Sequence, residues 1–162
     1  IYVRVPDMEP LRKAIIEAVH SEGVLFDEVT EYRRIVEPAI AELAALRRTL
    51  NQLDQLKIIT CDQQRCLLLG EDDGALDARF HQQLAECAGN RLLAETITQL
   101  NALYAGGRMP ELRDATWRQF SVSSHLQIID ALERQSPEEA RKAAEAHIDH
   151  VVSKHLFATA RA

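Results

Sequence analysis

The sequence has no apolar run near the roughly 20 residues that a membrane-spanning helix needs, and no signal-peptide pattern opens it. Positive charge is in short supply too. Its 19 Lys and Arg stand against 25 Asp and Glu, for a formal net charge of -6, which argues against a free-standing nucleic-acid-binding surface. Cysteine is sparse and odd in number. Cys61, Cys66 and Cys87 fall inside helical patterns, and the first two have the wrong separation for a C-x-x-C site. They read as reduced thiols of a cytoplasmic protein, filling small core or surface positions, and not as a disulfide framework. Internal repeats, low-complexity tracts and interdomain linkers are missing. So are an H-E-x-x-H pair, a Gly-rich phosphate loop and a nucleophile elbow, the usual marks of metalloprotease, phosphoryl-transfer or hydrolase chemistry. What is present is 162 residues, 46% hydrophobic and 27% charged. That balance belongs to one globular, soluble domain long enough to bury a real core.

The chain begins with a β-type run, Ile1-Tyr2-Val3-Arg4-Val5, ended by Pro6. Nothing later in the chain offers it a strand to pair with. It reads either as the stub of something upstream or as an extended arm. Helical patterns follow. Glu9 to His20 is short and amphipathic, and closes at Ser21-Glu22-Gly23. Asp27 to Leu50 is long, with Val29, Tyr32, Val36, Ile40, Leu43 and Leu46/Arg47 expected inward and Pro38 expected to bend it. Asn51 to Leu69 continues with Leu53, Leu56 and Ile59/Thr60 inward. The acidic loop Gly70–Gly74 suits the start of the next helix. Gly89 closes that helix, and Asn90 can cap the one running to Gly106-Gly107. Pro110 opens a helix from Glu111 to Arg134, and Ser136-Pro137-Glu138-Glu139 is a strong start for the last. The expected fold is all-α, an antiparallel bundle of six to seven helices.

The organising stretch is Leu76 to Asn90. Leu76, Phe80, Leu84 and Cys87/Ala88 recur at helical spacing and form a buried stripe. Asp77 and His81, one turn apart, lean towards that stripe. An acid and an imidazole in an apolar face need partners, because burying either alone is costly. His125 falls in the inward sector of Trp117, Ser121, Ile128 and Leu132, and His147 in that of Ala140, Ala144, Ile148 and Val151. Neutral imidazoles with one carboxylate suit Zn, Ni, Mn or Fe and leave coordination positions open. The spacing leaves alternatives: histidines satisfied by core hydrogen bonds, or Asp77 and His81 as a helix-surface pair. His150 could supply a second ligand from the last helix, although it falls towards the polar flank with Glu139 and Lys154, and His155 is a further rival.

The segment Asp77-Ala78-Arg79-Phe80-His81-Gln82-Gln83-Leu84-Ala85-Glu86-Cys87-Ala88-Gly89-Asn90 resembles the central motif, D-x-x-F-H-x-x-L-x-x-A-x-G-N, of the ligand-binding (FCD) domain of GntR-family transcriptional regulators of the FadR type. Ser124 to Leu132 resembles that domain's E-H-x-x-I-x-x-A-I segment, and Ser136 to Ile148 its D-x-x-x-A-x-x-A-x-x-x-H-L segment. Upstream, Glu31 to Pro38 is similar to V-R-x-x-L-E-P, which accounts for the internal proline. The four motifs occur in order and cover nearly all the chain after Pro6.

The resemblance implies an effector-sensing domain in which Asp77, His81, His125 and His147 bind a divalent metal, zinc first, with nickel or manganese as alternatives. The metal would sit at the floor of a pocket for a small carboxylate effector. Arg33 matches an arginine that can face such a pocket, and its fork suits a carboxylate; Arg34 is its register rival. Tyr104 could line the pocket or be a core aromatic. Glu37 matches the motif as well, with a salt-bridge or capping role. Residues 1–6 would be the wing-strand end of an absent N-terminal winged helix-turn-helix domain, and residues 7–162 the effector-binding and dimerisation domain. DNA would be contacted through the absent part, by a cytoplasmic homodimer. Two departures stand out: Ser124 replaces the usual acid before His125, putting that acid's contacts in doubt, and Cys87 replaces a small alanine.

Two other classes remain on sequence grounds. One is a small metal-dependent hydrolase or other metalloenzyme, using the same aspartate and three histidines as its metal site, which lacks an evident general base. The other is a metal-free helical interaction module. The pattern as a whole favours the sensor.

Overall fold

Thr49 and Gln52 divide what the apolar pattern reads as helix through Leu50. Thr49 has extended backbone angles; its hydroxyl accepts from the Gln52 N–H at 3.1 Å, and its own N–H donates to Gln52 Oε1 at 2.9 Å. This reciprocal capping box satisfies two orphan donors and starts a new helix. The first long helix therefore ends three residues short of the expected Leu50. The computed structural model describes residue 13 and residues 26–106 and 114–159, with side chains described at 13, 28–102 and 114–151. Six helices lie within the two long segments: α1 (Phe26–Arg47), α2 (Leu50–Leu69), α3 (Gly74–Cys87), α4 (Arg91–Gly106), α5 (Ala115–Glu133) and α6 (Pro137–Thr159). No strand occurs among the described residues. The fold is all-helical, as the sequence leads one to expect. The arm at Ile1–Pro6 and the Glu9–His20 helix fall outside the described residues except for Lys13, which is helical.

Local chemistry explains most of the boundaries. Gly70 ends α2 in the left-handed region at φ 71, a conformation glycine adopts without Cβ strain. Gly89, at φ 64, turns the chain after α3, and Asn90 Oδ1 then accepts from the Leu92 and Leu93 N–H groups. The helix expected from Glu111 starts at Ala115, because Asp114 is its N-cap and accepts from the Trp117 N–H at 2.8 Å. Of the acids before α3, Asp72 accepts from the Gly74 N–H, whereas buried Asp73 makes no cap and pairs with Arg118 Nε at 2.9 Å.

Packing brings distant parts of the chain together. α6 lies along α1 and α5; α2 packs on α3 and α5; α3 also touches α1 and α4. The core joins Ile40 and Leu56 to Phe80, Leu84, Ile128 and Leu132, all at most 2% exposed. α1 meets expectation in part. Ile40 is buried and Val29, Val36 and Leu43 pack against the core as expected, but Tyr32, Leu46 and Arg47 are exposed, and Arg33, Glu37, Ala41, Ala44 and Ala45 are buried. Small alanines on α1, with Ala140 and Ala144 buried on α6, let two helix axes approach closely. Pro38 is buried within α1, which continues through it. No described helix is long and apolar enough to cross a membrane.

Candidate metal centre

His81 from α3, His125 from α5 and His147 from α6 are all buried, and each offers one ring nitrogen such that the three lie within 4.8 Å of one another. Their ring centroids form a near-equilateral triangle with sides of 4.9, 5.2 and 5.3 Å. Helical register explains how three such separated residues meet. Each lies on the inward stripe of its own helix, and α3, α5 and α6 bury those stripes against a common centre. Phe80 stacks on His125, with centroids 3.7 Å apart and 12° between planes.

The surrounding hydrogen bonds orient two of the rings. His125 Nδ1 lies 2.9 Å from Gln63 Oε1, and Gln63 Nε2 lies 3.4 Å from Asp77 Oδ1. Ser121 Oγ donates to the same Asp77 oxygen at 2.9 Å. His147 Nδ1 is 2.7 Å from Ser124 Oγ, which donates to the Ser121 carbonyl at 2.9 Å. Ser124, which departs from the expected acid, thus contacts His147 from the other helix. Asp77 is partly buried, and its Oδ1 stands 3.8 Å from His125 Nε2.

α1 supplies the charges. Arg33 forms a forked pair with Glu37, and both are buried. Glu37 Oε2 comes to 3.0 Å from His81 Nδ1. Arg33 Nη2 is 3.4 Å from His81 Nε2. Burial alone would raise the Glu37 carboxyl, but the Arg33 guanidinium and the His81 ring outweigh it and hold that group well below 4.5. For His147 burial dominates, helped by His81, and the ring is lowered to about 3. Burial, followed by His147, also pushes His125 well below 6.5. At neutral pH both rings are uncharged.

That state suits a metal. A ligating imidazole must be neutral, and His125 Nε2 is buried with no hydrogen-bond partner, 3.8 Å from the Asp77 carboxylate. A cation at that nitrogen would satisfy it and would have the carboxylate beside it. The donor set therefore fits a divalent ion with imidazole and carboxylate preference.

A family model described as the FCD domain matches residues 28–150. The chain belongs to the FCD domains of GntR-family regulators. The Uxu operon regulator of Haemophilus influenzae is 30% identical over 133 residues, 78% of this chain and 50% of that protein. The HTH-type transcriptional repressor NanR of Cronobacter sakazakii is 28% identical over 134 residues, 82% of this chain and 51% of that protein. This FCD domain thus spans about half the length of the curated relatives it matches. Among solved structures, Streptococcus agalactiae GntR gives a TM-score of 0.69 at 30% identity, over 76% of this chain and 56% of that one. E. coli McbR/YncC gives 0.71 over 91% of this chain and 79% of that one, but at 17% identity it speaks to the fold alone. The relatives named here are, by their names, transcriptional regulators and not enzymes.

Within the FCD domain, the residues singled out from sequence fall as follows. His81, His125 and His147 converge; Asp77 borders them; Arg33 lies beside His81 but is engaged by Glu37. Arg34, the register rival, is exposed and bonds Asp149 at 2.6 Å. His150 is half-buried and stacks on Phe120 at 3.5 Å, outside the triad. The Tyr104 and His155 side chains are not among those described. Sequence reasoning missed Gln63. Its only signal was a polar residue at an inward position of α2, in step with Leu56, Ile59 and Thr60.

Proposed function

We propose that this FCD domain senses a small carboxylate effector at a divalent metal held by Asp77, His81, His125 and His147. The observation that carries this reading is the convergence of three buried imidazole nitrogens from three helices within 4.8 Å. It is supported by the uncharged state of His125 and His147 and by the unpartnered, buried Nε2 of His125. Zinc is the first candidate, since imidazole and carboxylate ligands with open positions suit it. A bound divalent ion supplies an electrophilic position for a carboxylate oxygen.

The charge balance favours a small acid. Two charges on the metal against one on Asp77 leave +1, and Arg33 does not raise this further because Glu37 offsets it. Arg33 would help bind an effector by sharing its fork between Glu37 and the incoming carboxylate. Binding at residues on α1, α3, α5 and α6 would favour one arrangement of those helices. In a longer protein that preference would be passed to a winged helix-turn-helix domain preceding this one, altering operator affinity. The relatives' names and greater length support a DNA-binding regulator with DNA contacted outside these residues; that it acts as a cytoplasmic homodimer is part of the same proposal.

The test is elemental analysis of protein purified without a metal-affinity column, beside an Asp77→Ala/His81→Ala variant, followed by thermal-shift screening of hydroxy acids, sugar acids and dicarboxylates. Near-stoichiometric metal that is lost in the variant, with a carboxylate raising Tm only in the loaded protein, is the expected outcome. Wild-type protein that takes up no zinc, nickel or manganese would defeat the reading.

A further inference from the structure

We infer that Gln63 and Ser124 are positioning residues that hold His125 and His147 as Nδ1–H tautomers, so that each ring turns its Nε2 lone pair to the shared centre. The inference rests on the metal reading for its purpose, but its chemistry is argued from two end groups that act in only one sense, the Asp77 carboxylate and the Ser121 carbonyl. An ionised carboxylate accepts hydrogen bonds and cannot donate them. Asp77 Oδ1, 3.4 Å from Gln63 Nε2, therefore fixes which end of the Gln63 amide faces it. With the NH2 group towards Asp77, the carbonyl Oε1 faces His125 at 2.9 Å, and only a protonated Nδ1 can meet it. Nε2 then carries the lone pair, and it is this atom that is buried without a hydrogen-bond partner.

The second chain ends on a backbone carbonyl. Ser124 has one hydroxyl proton, and the Ser121 carbonyl, which can only accept, lies 2.9 Å away to take it. With the proton so placed, the hydroxyl accepts from His147 Nδ1 at 2.7 Å, and that ring too is the Nδ1–H tautomer. Ser121 joins the two chains, giving its carbonyl to Ser124 and its hydroxyl to Asp77. The serine that replaces the expected acid thus keeps an orienting role while adding no charge. Such outer contacts fix ring orientation and tautomer around metals, and losing one typically lowers metal affinity by about 10–100-fold.

The experiment reads tautomers in metal-free protein by long-range proton–nitrogen correlation of the imidazole rings, and zinc affinity by competition with a chelator. Wild type, Gln63→Leu, Ser124→Ala and Ser124→Thr are compared. Nδ1–H tautomers are expected for both rings in wild type. Gln63→Leu should disturb His125 alone and Ser124→Ala His147 alone, each weakening zinc binding by about 10–100-fold, while Ser124→Thr restores the hydroxyl and the wild-type spectrum. An Nε2–H tautomer at either ring of the wild type overturns the inference without recourse to a variant. So does a Gln63→Leu protein with unchanged tautomers and zinc affinity. Nδ1–H tautomers in a protein that takes up no zinc would uphold the clamp and remove the metal reading.

Discussion

Phe80 lies flat on His125, their centroids 3.7 Å apart and their planes 12° from parallel, while the next residue in the chain, His81, meets His125 edge-on at 5.3 Å. One turn of α3 thus supplies both a wall and a candidate ligand. Phe80 is fully buried, so truncation to alanine removes its transfer free energy and leaves a cavity against a polar ring. Phe80→Ala should cost about 3–5 kcal/mol, read by urea denaturation, and should weaken zinc binding by freeing the His125 ring. Phe80→Leu should retain most of the stability. A Phe80→Ala protein within about 1 kcal/mol of wild type would mean that the site collapses onto the gap and that the stack is incidental.

Adjacent arginines on α1 offer a sharper contrast. Arg33 is buried against Glu37 and His81; Arg34 is exposed and pairs with Asp149, itself exposed. Removing one member of a buried pair strands the other, at about 3–5 kcal/mol, whereas an exposed pair contributes at most about 1 kcal/mol. Arg33→Met should therefore be strongly destabilising and Arg34→Ala nearly silent in denaturant unfolding. Equal effects from the two would contradict the assigned register of α1.

That register shows where sequence and structure part. On α3, α5 and α6 large apolar residues mark the buried face, so His81, His125 and His147 could be placed inward from their neighbours alone. On α1 such residues divide: Ile40 is buried and Val29, Val36 and Leu43 pack against the core, but Tyr32 and Leu46 turn outward, and the rest of the buried face includes Arg33, Glu37 and alanines. A rule that follows large apolar side chains there finds part of the face and misses its charged and small members. The Gln63 and Ser124 contacts were illegible for another reason. Their partners lie 62 and 23 residues away on other helices, and no local pattern encodes such a meeting. The Thr49–Gln52 box, by contrast, is a local signature that the continuous apolar pattern masked.

The cysteines give a simple check of packing. Cys61 is exposed, Cys66 and Cys87 are buried, and all three are free thiols. Burial also pushes the Cys87 thiol up to about 11, so at pH 8 it holds little of the reactive thiolate. A thiol reagent should titrate one group quickly in the native protein and all three in guanidinium chloride. Rapid reaction of two or three thiols under native conditions would show that the α2 or α3 packing opens readily.

Acid should destabilise the metal-free protein, and the sign follows from the buried rings. His147, lowered to about 3, and His125, well below 6.5, stay neutral when folded but bind protons near pH 6.5 once unfolded. As pH falls below that value the unfolded state takes up more protons, so stability is full above about 6.5 and is lost progressively towards pH 3. One such histidine accounts for about 2 kcal/mol of the loss by pH 5. Glu37 acts in the same direction at lower pH: its depressed carboxyl stabilises the fold above 4.5, and this is lost as pH falls through that value and below. Tm of chelator-treated protein should therefore drop steadily from pH 7.5 to pH 4, and His147→Gln should flatten the upper part of the curve. A Tm independent of pH between 7 and 5 would show that burial does not lower these rings below their ordinary range.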